Sequence, residues 1–367
     1  MRVGIVGGGQ LGRMLGLAAV PLNVATVFLD PAEDACARVV GEQLIGEFSD
    51  PSALDRLAAS CDVLTYEFEN VDVAELQRIA VNTTVRPSVR AVEVSQQRHR
   101  EKAFFEGLGL DVAPWAYAES SADLDGALAT TGLPAILKTD RLGYDGKGQV
   151  RITEASQAAA AFERLGGVPI CVEGVVPFDF EVSVIGSRGI DASTEVYALT
   201  ENRHRDGILW QSRTVADQAR LADVARQAFL ATTAALDYVG TLAIEFFVVG
   251  ERLLVNEFAP RVHNSGHWTL DGAVTSQFEN HMRAVAGLPL GSARLLGSAG
   301  MQNFIGNVPP TAEILADPAV RLHAYGKQAR NGRKVGHANV VADSAAQRDS
   351  SLETLANVTS RYETRTL

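Results

Sequence analysis

The fold is decided by the stretch Leu242-Ala243-Ile244-Glu245-Phe246-Phe247-Val248-Val249-Gly250-Glu251-Arg252-Leu253-Leu254-Val255-Asn256-Glu257-Phe258. Two apolar runs rich in Val, Leu and Phe flank the pair Gly250-Glu251, and this pattern is typical of a β-hairpin. A turn centred on Glu251 would place Glu245 opposite Glu257. Both carboxylates would then lie on one face of an otherwise apolar hairpin.

The facing carboxylates Glu245 and Glu257 predict a metal site. Like charges opposite each other destabilise a β-ladder, and two carboxylates in apolar surroundings tend to share a proton. A divalent cation removes both problems, and Mg²⁺ prefers one or two carboxylates plus phosphate oxygens. Asn256, next to Glu257, offers a third oxygen. The alternative is that both glutamates lie on a solvated face, which their Phe and Val neighbours disfavour.

A lysine and a glycine-rich loop precede the hairpin. The apolar run Ala135-Ile136-Leu137 ends in Lys138, and lysines seldom point inward without an anion. The loop Gly143-Tyr144-Asp145-Gly146-Lys147-Gly148-Gln149 follows, and its backbone N–H groups are suited to covering phosphates. It lacks the ending of a Walker A loop, and a plain hairpin turn is the alternative. Together with the carboxylate pair, these features predict a site for a nucleoside triphosphate.

The chain opens with another glycine-rich sequence, Gly7-Gly8-Gly9-Gln10-Leu11-Gly12, after a predicted strand and before a predicted helix at Leu11–Val20. This G-x-G-x-x-G pattern, with Asp30 closing the next strand, suggests a dinucleotide site. The physical basis is broader, because glycines let the backbone approach any anion and a helix N-terminus attracts phosphate. A ribonucleotide phosphate and simple tight packing of strand on helix are the alternatives.

The bulk composition restricts the class of protein. The chain has 367 residues, of which 46% are hydrophobic and 21% charged, and its net charge is −11. This length predicts two or three globular domains. The acidic balance disfavours non-specific binding to nucleic acid or to an anionic membrane. Three scattered cysteines do not form a disulfide framework. Neither a signal peptide nor a membrane span is recognisable, so we expect a cytoplasmic protein.

Hydrophobic periodicity predicts an α/β protein whose character changes along the chain. Over the first ninety residues short strands alternate with helices, which implies a parallel sheet. A charged helix is predicted at Glu93–Leu108, followed by antiparallel strands that include Glu181–Gly186 and Glu195–Thr200. A long helix at Asp217–Leu236 precedes the hairpin. A small strand-rich tail, with the basic loop Lys327–Lys334, ends the chain.

The order of these parts resembles the ATP-grasp superfamily and, within it, the N5-carboxyaminoimidazole ribonucleotide synthase family. The resemblance covers nearly the whole chain and is carried by Gly9–Gly12, Tyr66–Val71, Gly143–Gln149, Gly332–His337 and, most specifically, Asn256-Glu257-Phe258-Ala259-Pro260-Arg261-Val262-His263-Asn264-Ser265-Gly266-His267-Trp268. It implies a Rossmann-like pre-ATP-grasp domain at residues 1–92. An ATP-grasp domain of two α+β subdomains would follow at 93–295, and a small strand-rich C-terminal domain at 296–367.

The resemblance implies a site for ATP and Mg²⁺, with Mn²⁺ as an alternative ion. Lys138 and Arg98 would bind the phosphates. Glu173 and the backbone near Val176 would bind adenine, and Glu181 would bind the ribose. The remaining implied ATP-binding residues are Gly143, Tyr144, Asp145, Gly146, Lys147, Gly148, Gln149, Gly174, Val175, His204, Asn256 and Glu257.

The resemblance also implies the other substrates, aminoimidazole ribonucleotide and bicarbonate. Arg261, His263 and Asn264 would bind bicarbonate or the carboxyphosphate made from it, while Glu245 and Glu257 would ligate the metal ion. The residues implied for the ribonucleotide are Gly9, Gln10, Leu11, Glu67, Asn70, Lys327, Arg333 and Lys334.

The implied chemistry is phosphorylation of bicarbonate by ATP and then carboxylation of the exocyclic amine of the ribonucleotide. Lys138, Arg261 and the metal ion would neutralise the transferring phosphoryl group. Either Asp145 or His263 would take the amine proton, and either carboxyphosphate or CO₂ released from it would react. Relatives are commonly dimers, so a homodimer is expected.

Three other functions compete with this hypothesis. Another ATP-grasp ligase would share the ATP residues and differ in its acceptor site, but the segment Arg261–Trp268 and the tail loop argue against it. An NAD-dependent oxidoreductase built on the first glycine loop leaves Lys138 and the carboxylate pair unexplained. A non-catalytic nucleotide-binding regulator is disfavoured because Lys138, Glu245 and Glu257 are all intact.

Overall fold

The computed structural model describes residues 1–143 and 147–362. Tyr144, Asp145 and Gly146, which belong to the predicted phosphate-covering loop, lie outside the described residues, as do residues 363–367. The roles predicted for those three loop residues therefore stay predictions. Over the two described ranges, no helix is long and apolar enough to cross a membrane.

The first region is a parallel sheet with helices packed on it. Its elements are β1 (Arg2–Val6), α1 (Gln10–Ala19), β2 (Ala25–Asp30), β3 (Glu42–Ile45), α2 (Pro51–Ala59), β4 (Val63–Tyr66), α3 (Val73–Ala80), β5 (Thr84–Val85) and α4 (Val89–Ser95). The strands run parallel in the order β3-β2-β1-β4-β5. This confirms the parallel sheet predicted from the alternation. Because β1 and β4 are neighbours, the glycine loop after β1 lies beside Glu67 at the end of β4.

A small antiparallel sheet follows. The elements here are α5 (Arg98–Gly107), β6 (Trp115–Ala118), α6 (Leu124–Thr131), β7 (Ala135–Thr139), β8 (Gln149–Ile152), α7 (Ala158–Arg164) and β9 (Ile170–Gly174). The strand order is β6-β9-β7-β8. Lys138 stands on β7 and Glu173 on the adjacent β9. The sheet therefore brings together two of the residues predicted to bind ATP.

A larger antiparallel sheet carries the hairpin. Its part of the chain contains β10 (Phe180–Arg188), β11 (Thr194–Val196), β12 (Thr200–Arg205), β13 (Ile208–Thr214), α8 (Ala219–Ala235), β14 (Gly240–Val249), β15 (Arg252–Ala259), α9 (Thr269–Gly272) and α10 (Gln277–Val285). The predicted hairpin is confirmed as β14 and β15. Helix α8 covers one face of the sheet through the fully buried Phe229, which belongs to the same core as Val184 and Phe246.

The C-terminal strands extend this larger sheet. They and their helices are β16 (Ser298–Ile305), α11 (Thr311–Ile314), β17 (Val320–Ala324), β18 (Lys334–Ala342) and α12 (Ala345–Tyr362). Strand β16 pairs with β13, which gives the order β15-β14-β10-β12-β13-β16-β18-β17, with β11 beside β10. The predicted strand-rich tail is present, but its strands continue the sheet of the preceding region. Helix α12, which the sequence analysis did not predict, buries Leu352 and Leu355 in the core of this end.

The single charged helix predicted at Glu93–Leu108 is wrong, because α4 ends at Ser95 and α5 begins at Arg98. Between them, Gln97 is extended, with φ −127° and ψ 113°. The side chain of Gln96 donates to two backbone oxygens in the loop after β4, at 2.6 and 2.7 Å. These tertiary bonds compete with a continuous helix. A new helix, α5, begins after the break and contacts the hairpin.

The strand predicted at Glu195–Thr200 is also interrupted. Strand β11 ends at Val196 and β12 begins at Thr200. Tyr197, between them, is buried, and its hydroxyl donates to the backbone oxygen of Thr275 at 3.0 Å. A buried aromatic residue fits the alternation of a strand equally well, so the pattern could not reveal the break.

Candidate active site

The two predicted metal ligands lie opposite each other on the hairpin. Glu245 of β14 pairs with Glu257 of β15 in the strand register. The strands pair regularly from the turn as far as Phe246 and Val255. If that register continued, Asn256 would lie opposite Glu245. The register then shifts, so that Asn256 is an extra residue, a β-bulge, and Glu257 returns to the face of Glu245. The predicted pairing is confirmed, but its predicted cause, the position of the turn, is wrong.

The surroundings of the carboxylate pair affect its ionisation. Burial, followed by the charge of Glu257, raises the pKa of Glu245. The nearest groups are Arg98, whose Nη1 is 3.3 Å from Glu257 Oε2, and His263, whose Nε2 is 3.2 Å from Glu245 Oε1. Within the described chain, the buried Oδ1 of Asn256 has no hydrogen-bond partner. Two carboxylates and an unpartnered amide oxygen suit Mg²⁺, so the residues fit the predicted ion.

The hairpin does not supply a complete metal site. In the ranges 1–143 and 147–362, no three His, Cys, Asp or Glu side chains form a group that could hold a metal ion. A Mg²⁺ ion at Glu245 and Glu257 would therefore take further oxygens from phosphate and water, which is its usual arrangement in nucleotide sites.

A cavity of about 770 Å³ lies beside the hairpin. It is bounded by the first region, by the hairpin and the segment after it, and by the loop between β17 and β18. The predicted site residues that line it are Gln10, Leu11, Glu67, Asn70, Arg98, Gly143, Lys147, Glu245, Glu257, Arg261, His263, Asn264, Lys327, Arg333 and Lys334. One space thus brings together the residues predicted for the metal ion, for bicarbonate and for the ribonucleotide.

Other predicted residues lie outside the lining of this cavity. They are Gly9, Lys138, Gly148, Gln149, Glu173, Gly174, Val175, Val176, Glu181, His204 and Asn256. Two of them meet, since Glu181 Oε2 lies 2.6 Å from His204 Nδ1. Burial opposes protonation of His204, but the bond to Glu181 and the charge of Glu245 outweigh it and raise its pKa. Most residues predicted for ATP therefore lie outside the lining of this cavity.

Glu173 has a contact that its predicted role did not include. Its buried carboxylate accepts a bond from Lys138 Nζ at 3.0 Å, and Lys102 Nζ lies 3.5 Å away. Burial opposes ionisation of Glu173, but the charges of Lys102, Lys138 and Arg98 outweigh it and lower its pKa to about 2. Glu173 is thus the counter-ion of two lysines. Sequence analysis missed Lys102, although it stands one helical turn after Arg98, a spacing that places both on one side of α5.

The N–H groups of the first glycine loop are bonded to protein carboxylates. Glu67 accepts from the N–H of Gly9 at 2.5 Å and also from that of Gly12, while Asp30 accepts from Gly8 at 2.8 Å. A Cβ on Gly7 would lie 2.2 Å from Cγ of Glu67. The glycines therefore make room for Glu67, and these three N–H groups bond to carboxylates of the same chain.

The basic loop from the C-terminal part of the chain reaches the first region. Lys327 Nζ contacts the side-chain oxygen of Gln10, and burial lowers the pKa of Lys327. Arg333 and Lys334, at the end of the same loop, line the same cavity. Residues from the two ends of the chain that were predicted to bind the ribonucleotide are therefore close together.

Arg261 forms a forked ion pair with Glu69, which the sequence analysis did not single out. Its Nη2 donates to Glu69 Oε1 at 3.0 Å, its Nε contacts Oε2, and its Nη1 donates to the backbone oxygen of Val262 at 3.1 Å. Burial opposes ionisation of Glu69, but the charge of Arg261 outweighs it and lowers the pKa. Arg261 is thus fixed against the first region, and only its remaining N–H groups can bind an anion.

His263 is neutral, and its proton is on Nε2. The backbone N–H of Ser265 donates to its Nδ1 at 3.3 Å, so that nitrogen is an acceptor. Burial, followed by the charge of Arg261, lowers the pKa of His263 well below its usual range. Nε2–H therefore faces Glu245 and cannot accept a proton there. His263 caps the turn at Asn264–Gly266, and its predicted role as acceptor of the amine proton is disfavoured.

A line of buried hydroxyl and amide groups continues behind His263. The bonds run from Ser212 Oγ to Asn202 Oδ1 at 2.8 Å, from Asn202 Nδ2 to Ser183 Oγ at 3.1 Å and from Ser183 Oγ to Ser265 Oγ at 2.7 Å. Ser265 Oγ in turn lies 2.8 Å from His263 Nδ1. Every donor points toward His263, which fixes its ring. This line of groups was not predicted. The feature of the sequence that could indicate it is polar residues at buried strand positions.

Three family profiles match the chain. They are described as a ribonucleotide synthetase preATP-grasp domain over residues 1–96, an ATP-grasp domain over 103–278 and a phosphoribosylaminoimidazole carboxylase C-terminal domain over 299–351. The N5-carboxyaminoimidazole ribonucleotide synthase of Pseudomonas aeruginosa is 48% identical over 341 residues, which cover 93% of this chain and 94% of the relative. The Bacillus subtilis protein of the same name is 38% identical, with coverages of 91% and 90%.

Solved structures agree with these sequence relatives. The N5-carboxyaminoimidazole ribonucleotide synthetase from Thermus thermophilus superposes with a TM-score of 0.94 at 48% identity, covering 98% of each chain. The synthase from Aspergillus clavatus, solved in complex with ADP and 5-aminoimidazole ribonucleotide, gives a TM-score of 0.88 at 30% identity, again covering 98% of each chain.

Proposed function

The chain belongs to the N5-carboxyaminoimidazole ribonucleotide synthase family, and from this membership we propose how its residues carry out the reaction. It is an ATP-grasp ligase that uses ATP to carboxylate 5-aminoimidazole ribonucleotide in purine biosynthesis. One observation carries the proposal for the site. The same cavity is lined by the carboxylates Glu245 and Glu257 and by the basic residues Lys327, Arg333 and Lys334.

In this proposal, ATP lies between the two antiparallel sheets with its phosphates directed toward the hairpin. Lys138 and Arg98 neutralise phosphate charge, and the 3.3 Å contact of Arg98 with Glu257 supports this position. Glu181, with His204 beside it, binds the ribose hydroxyls. The strand end at Glu173 and the backbone of 174–176 border the adenine, while the loop 143–149 covers the phosphates.

We assign Mg²⁺, or Mn²⁺ in its place, to Glu245 and Glu257. The facing carboxylates and the unpartnered Oδ1 of Asn256 support this assignment. When bound, the ion neutralises and orients phosphate oxygens. The protein holds the site in shape, because the Nε2–H of His263 faces Glu245 and fixes its carboxylate.

The first step activates bicarbonate, which is a poor electrophile. An oxygen of bicarbonate attacks the γ-phosphorus of ATP, and the bond between that phosphorus and the ADP oxygen breaks, which gives carboxyphosphate and ADP. Asn264 is suited to binding the anion, because its buried Nδ2 and Oδ1 both lack a partner within the described residues. The remaining N–H groups of Arg261 supply positive charge nearby.

The second step carboxylates the ribonucleotide. Its exocyclic amine nitrogen attacks the carboxyl carbon of carboxyphosphate and phosphate leaves, or carboxyphosphate first breaks into CO₂ and phosphate and the nitrogen attacks the carbon of CO₂; in both cases the nitrogen loses a proton. Since His263 already carries its proton on Nε2, we propose Asp145 as the acceptor. Lys327, Arg333 and Lys334 bind the phosphate of the ribonucleotide. On resemblance to relatives we expect a homodimer, and on the acidic charge and sequence pattern a cytoplasmic protein without nucleic-acid or membrane partners.

Phosphate release from ATP tests this function. The protein is supplied with ATP, Mg²⁺ and bicarbonate, with and without 5-aminoimidazole ribonucleotide. We expect release to rise sharply with the ribonucleotide and to require bicarbonate. ATP hydrolysis that is indifferent to the ribonucleotide would point to another acceptor, and NADH binding without any ATP use would overturn the proposal.

A further inference from the structure

Helix α5 contacts the hairpin on both sides of Glu257. Lys102 Nζ donates to the backbone oxygen of Asn256 at 2.8 Å, and Oε1 of Glu101 accepts from the backbone N–H of Phe258 at 2.7 Å. Two consecutive residues of one helix therefore bond to the two backbone groups that flank a proposed metal ligand.

Both helix residues are buried, which makes these bonds energetically important. Lys102 is 0% exposed and Glu101 is 2% exposed. Burying such groups without partners is costly, so each must be satisfied locally. Lys102 has one further partner, Glu173 at 3.5 Å. Glu101 bonds to the hairpin backbone without contacting Glu173, so the two contacts can be tested separately.

The contacts fall where the hairpin register shifts. Asn256 is the extra residue of the bulge, and it alone restores the pairing of Glu257 with Glu245. A strand that loses its bulge slips by one residue, and a slip of one residue turns every following side chain to the opposite face. The position of Glu257 therefore depends on the stability of the bulge.

We propose that Glu101 and Lys102 are positioning residues that hold the Asn256 bulge in place and thereby keep Glu257 on the metal-binding face beside Glu245. The inference rests on the proposed metal role of Glu257. The proposed role also explains the break between α4 and α5. A helix that starts at Arg98 places Arg98, Glu101 and Lys102 in contact with the hairpin from one side.

Metal binding tests this inference directly. Binding of Mn²⁺ in the presence of ADP is titrated by electron paramagnetic resonance of the unbound ion. Lys102→Met and Glu101→Leu should each weaken Mn²⁺ binding about 10- to 100-fold, the effect typical of losing a residue that orients a ligand. Glu101→Gln should stay within about twofold of the wild type, because its amide oxygen still accepts from Phe258.

Two control variants lie on the same helix. Arg100→Met removes a cation whose partner is the surface residue Glu93, and Glu106→Leu removes an exposed carboxylate. Both should leave Mn²⁺ binding unchanged. Amide hydrogen exchange at Phe258 gives a second readout, which should be faster in Glu101→Leu and normal in Glu101→Gln, and thermal unfolding confirms that each variant is folded.

The outcomes separate this inference from the proposed function. A folded Glu101→Leu variant that binds Mn²⁺ and protects the Phe258 amide like the wild type would overturn the positioning role and leave the metal site intact. A wild-type protein that binds Mn²⁺ no better than Glu257→Gln would overturn the metal role itself, and the positioning role with it.

Discussion

The first glycine loop and the carboxylate hairpin show opposite relations between motif and partner. The loop has the pattern of an anion site, yet Glu67 and Asp30 of the same chain occupy its N–H groups. The hairpin carries two facing carboxylates and leaves them without a metal-binding third residue among the described side chains. In the loop, the N–H groups of Gly8, Gly9 and Gly12 are bonded within the chain, whereas the hairpin is the place to which we assign a cation.

A motif predicts a ligand only when the fold leaves some of its groups without partners. Buried polar groups are almost always bonded, so the question for each motif is which partner bonds it. For the loop the partner is a carboxylate at the end of the neighbouring strand. On the hairpin, Arg98 and His263 contact one carboxylate each, and the buried Oδ1 of Asn256 has no partner among the described residues, so this is where we propose the metal ion and the phosphates of ATP.

The largest expected effect is the loss of turnover in Glu257→Gln. Removing one of two carboxylate ligands should reduce ribonucleotide-dependent phosphate release on the order of 1,000-fold, because metal-assisted charge stabilisation is worth several kcal/mol. Glu251→Gln is the matched control, since Glu251 stands at the exposed turn of the same hairpin and pairs with the exposed Arg220. Equal activity of the two variants would show that Glu257 is not needed for turnover.

Loss of the carboxylate beside the first glycine loop should lower the stability of the folded protein. Glu67→Leu leaves the N–H groups of Gly9 and Gly12 without their acceptor, so we expect the free energy of unfolding to fall by about 2 to 4 kcal/mol. Glu33→Leu, at an exposed position of the same region, should have little effect. Chemical denaturation measures both. If Glu67→Leu were as stable as Glu33→Leu, the loop would not depend on its carboxylate.

His281 connects the two regions and should make their joint stability depend on pH. Its Nε2 lies 2.9 Å from Thr65 Oγ1 on β4, and its Nδ1 accepts from the N–H of Thr241 on β14 at 3.1 Å. Burial lowers the pKa of His281 to about 3. The folded protein therefore keeps the ring neutral, while the unfolded chain takes up a proton below the ordinary histidine pKa near 6.5.

The sign of this effect follows from proton uptake by the unfolded chain. Stability contributed by neutral His281 is complete above about pH 6.5 and is lost as pH falls toward 3, at about 1.4 kcal/mol per pH unit. In His281→Gln, the slope of unfolding free energy against pH between about 6 and 4 should be smaller by that amount. An unchanged slope would show that His281 does not link the regions in this way.

The smallest predicted effect concerns the line of polar groups behind His263. Ser183→Ala removes its bond to Ser265 and should lower turnover about fivefold, which corresponds to a net hydrogen bond of roughly 1 kcal/mol. Ser187→Ala is the control, because Ser187 is equally buried on the same strand but bonds to Thr241 Oγ1. A similar loss of turnover in both variants would mean that Ser183 matters for stability alone.

The sequence predicted those features that depend on local pattern. Alternating strands and helices predicted the parallel sheet, and two apolar runs predicted the hairpin that carries Glu245 and Glu257. The bulge at Asn256 was not predictable, because it depends on bonds from α5, which is distant in sequence. Likewise, nothing in the glycine pattern indicated that Glu67 would occupy the loop, since that contact exists only once β1 and β4 are neighbours.

Isotope transfer from bicarbonate to phosphate shows whether ATP phosphorylates bicarbonate in this protein. The protein is incubated with ATP, Mg²⁺, 5-aminoimidazole ribonucleotide and bicarbonate labelled with ¹⁸O, and the released phosphate is analysed by mass spectrometry. If ATP phosphorylates bicarbonate, the oxygen that attacked the γ-phosphorus stays with the phosphate, so each phosphate should carry a single labelled oxygen. Unlabelled phosphate, formed while ATP is consumed and the ribonucleotide is carboxylated, would contradict the account.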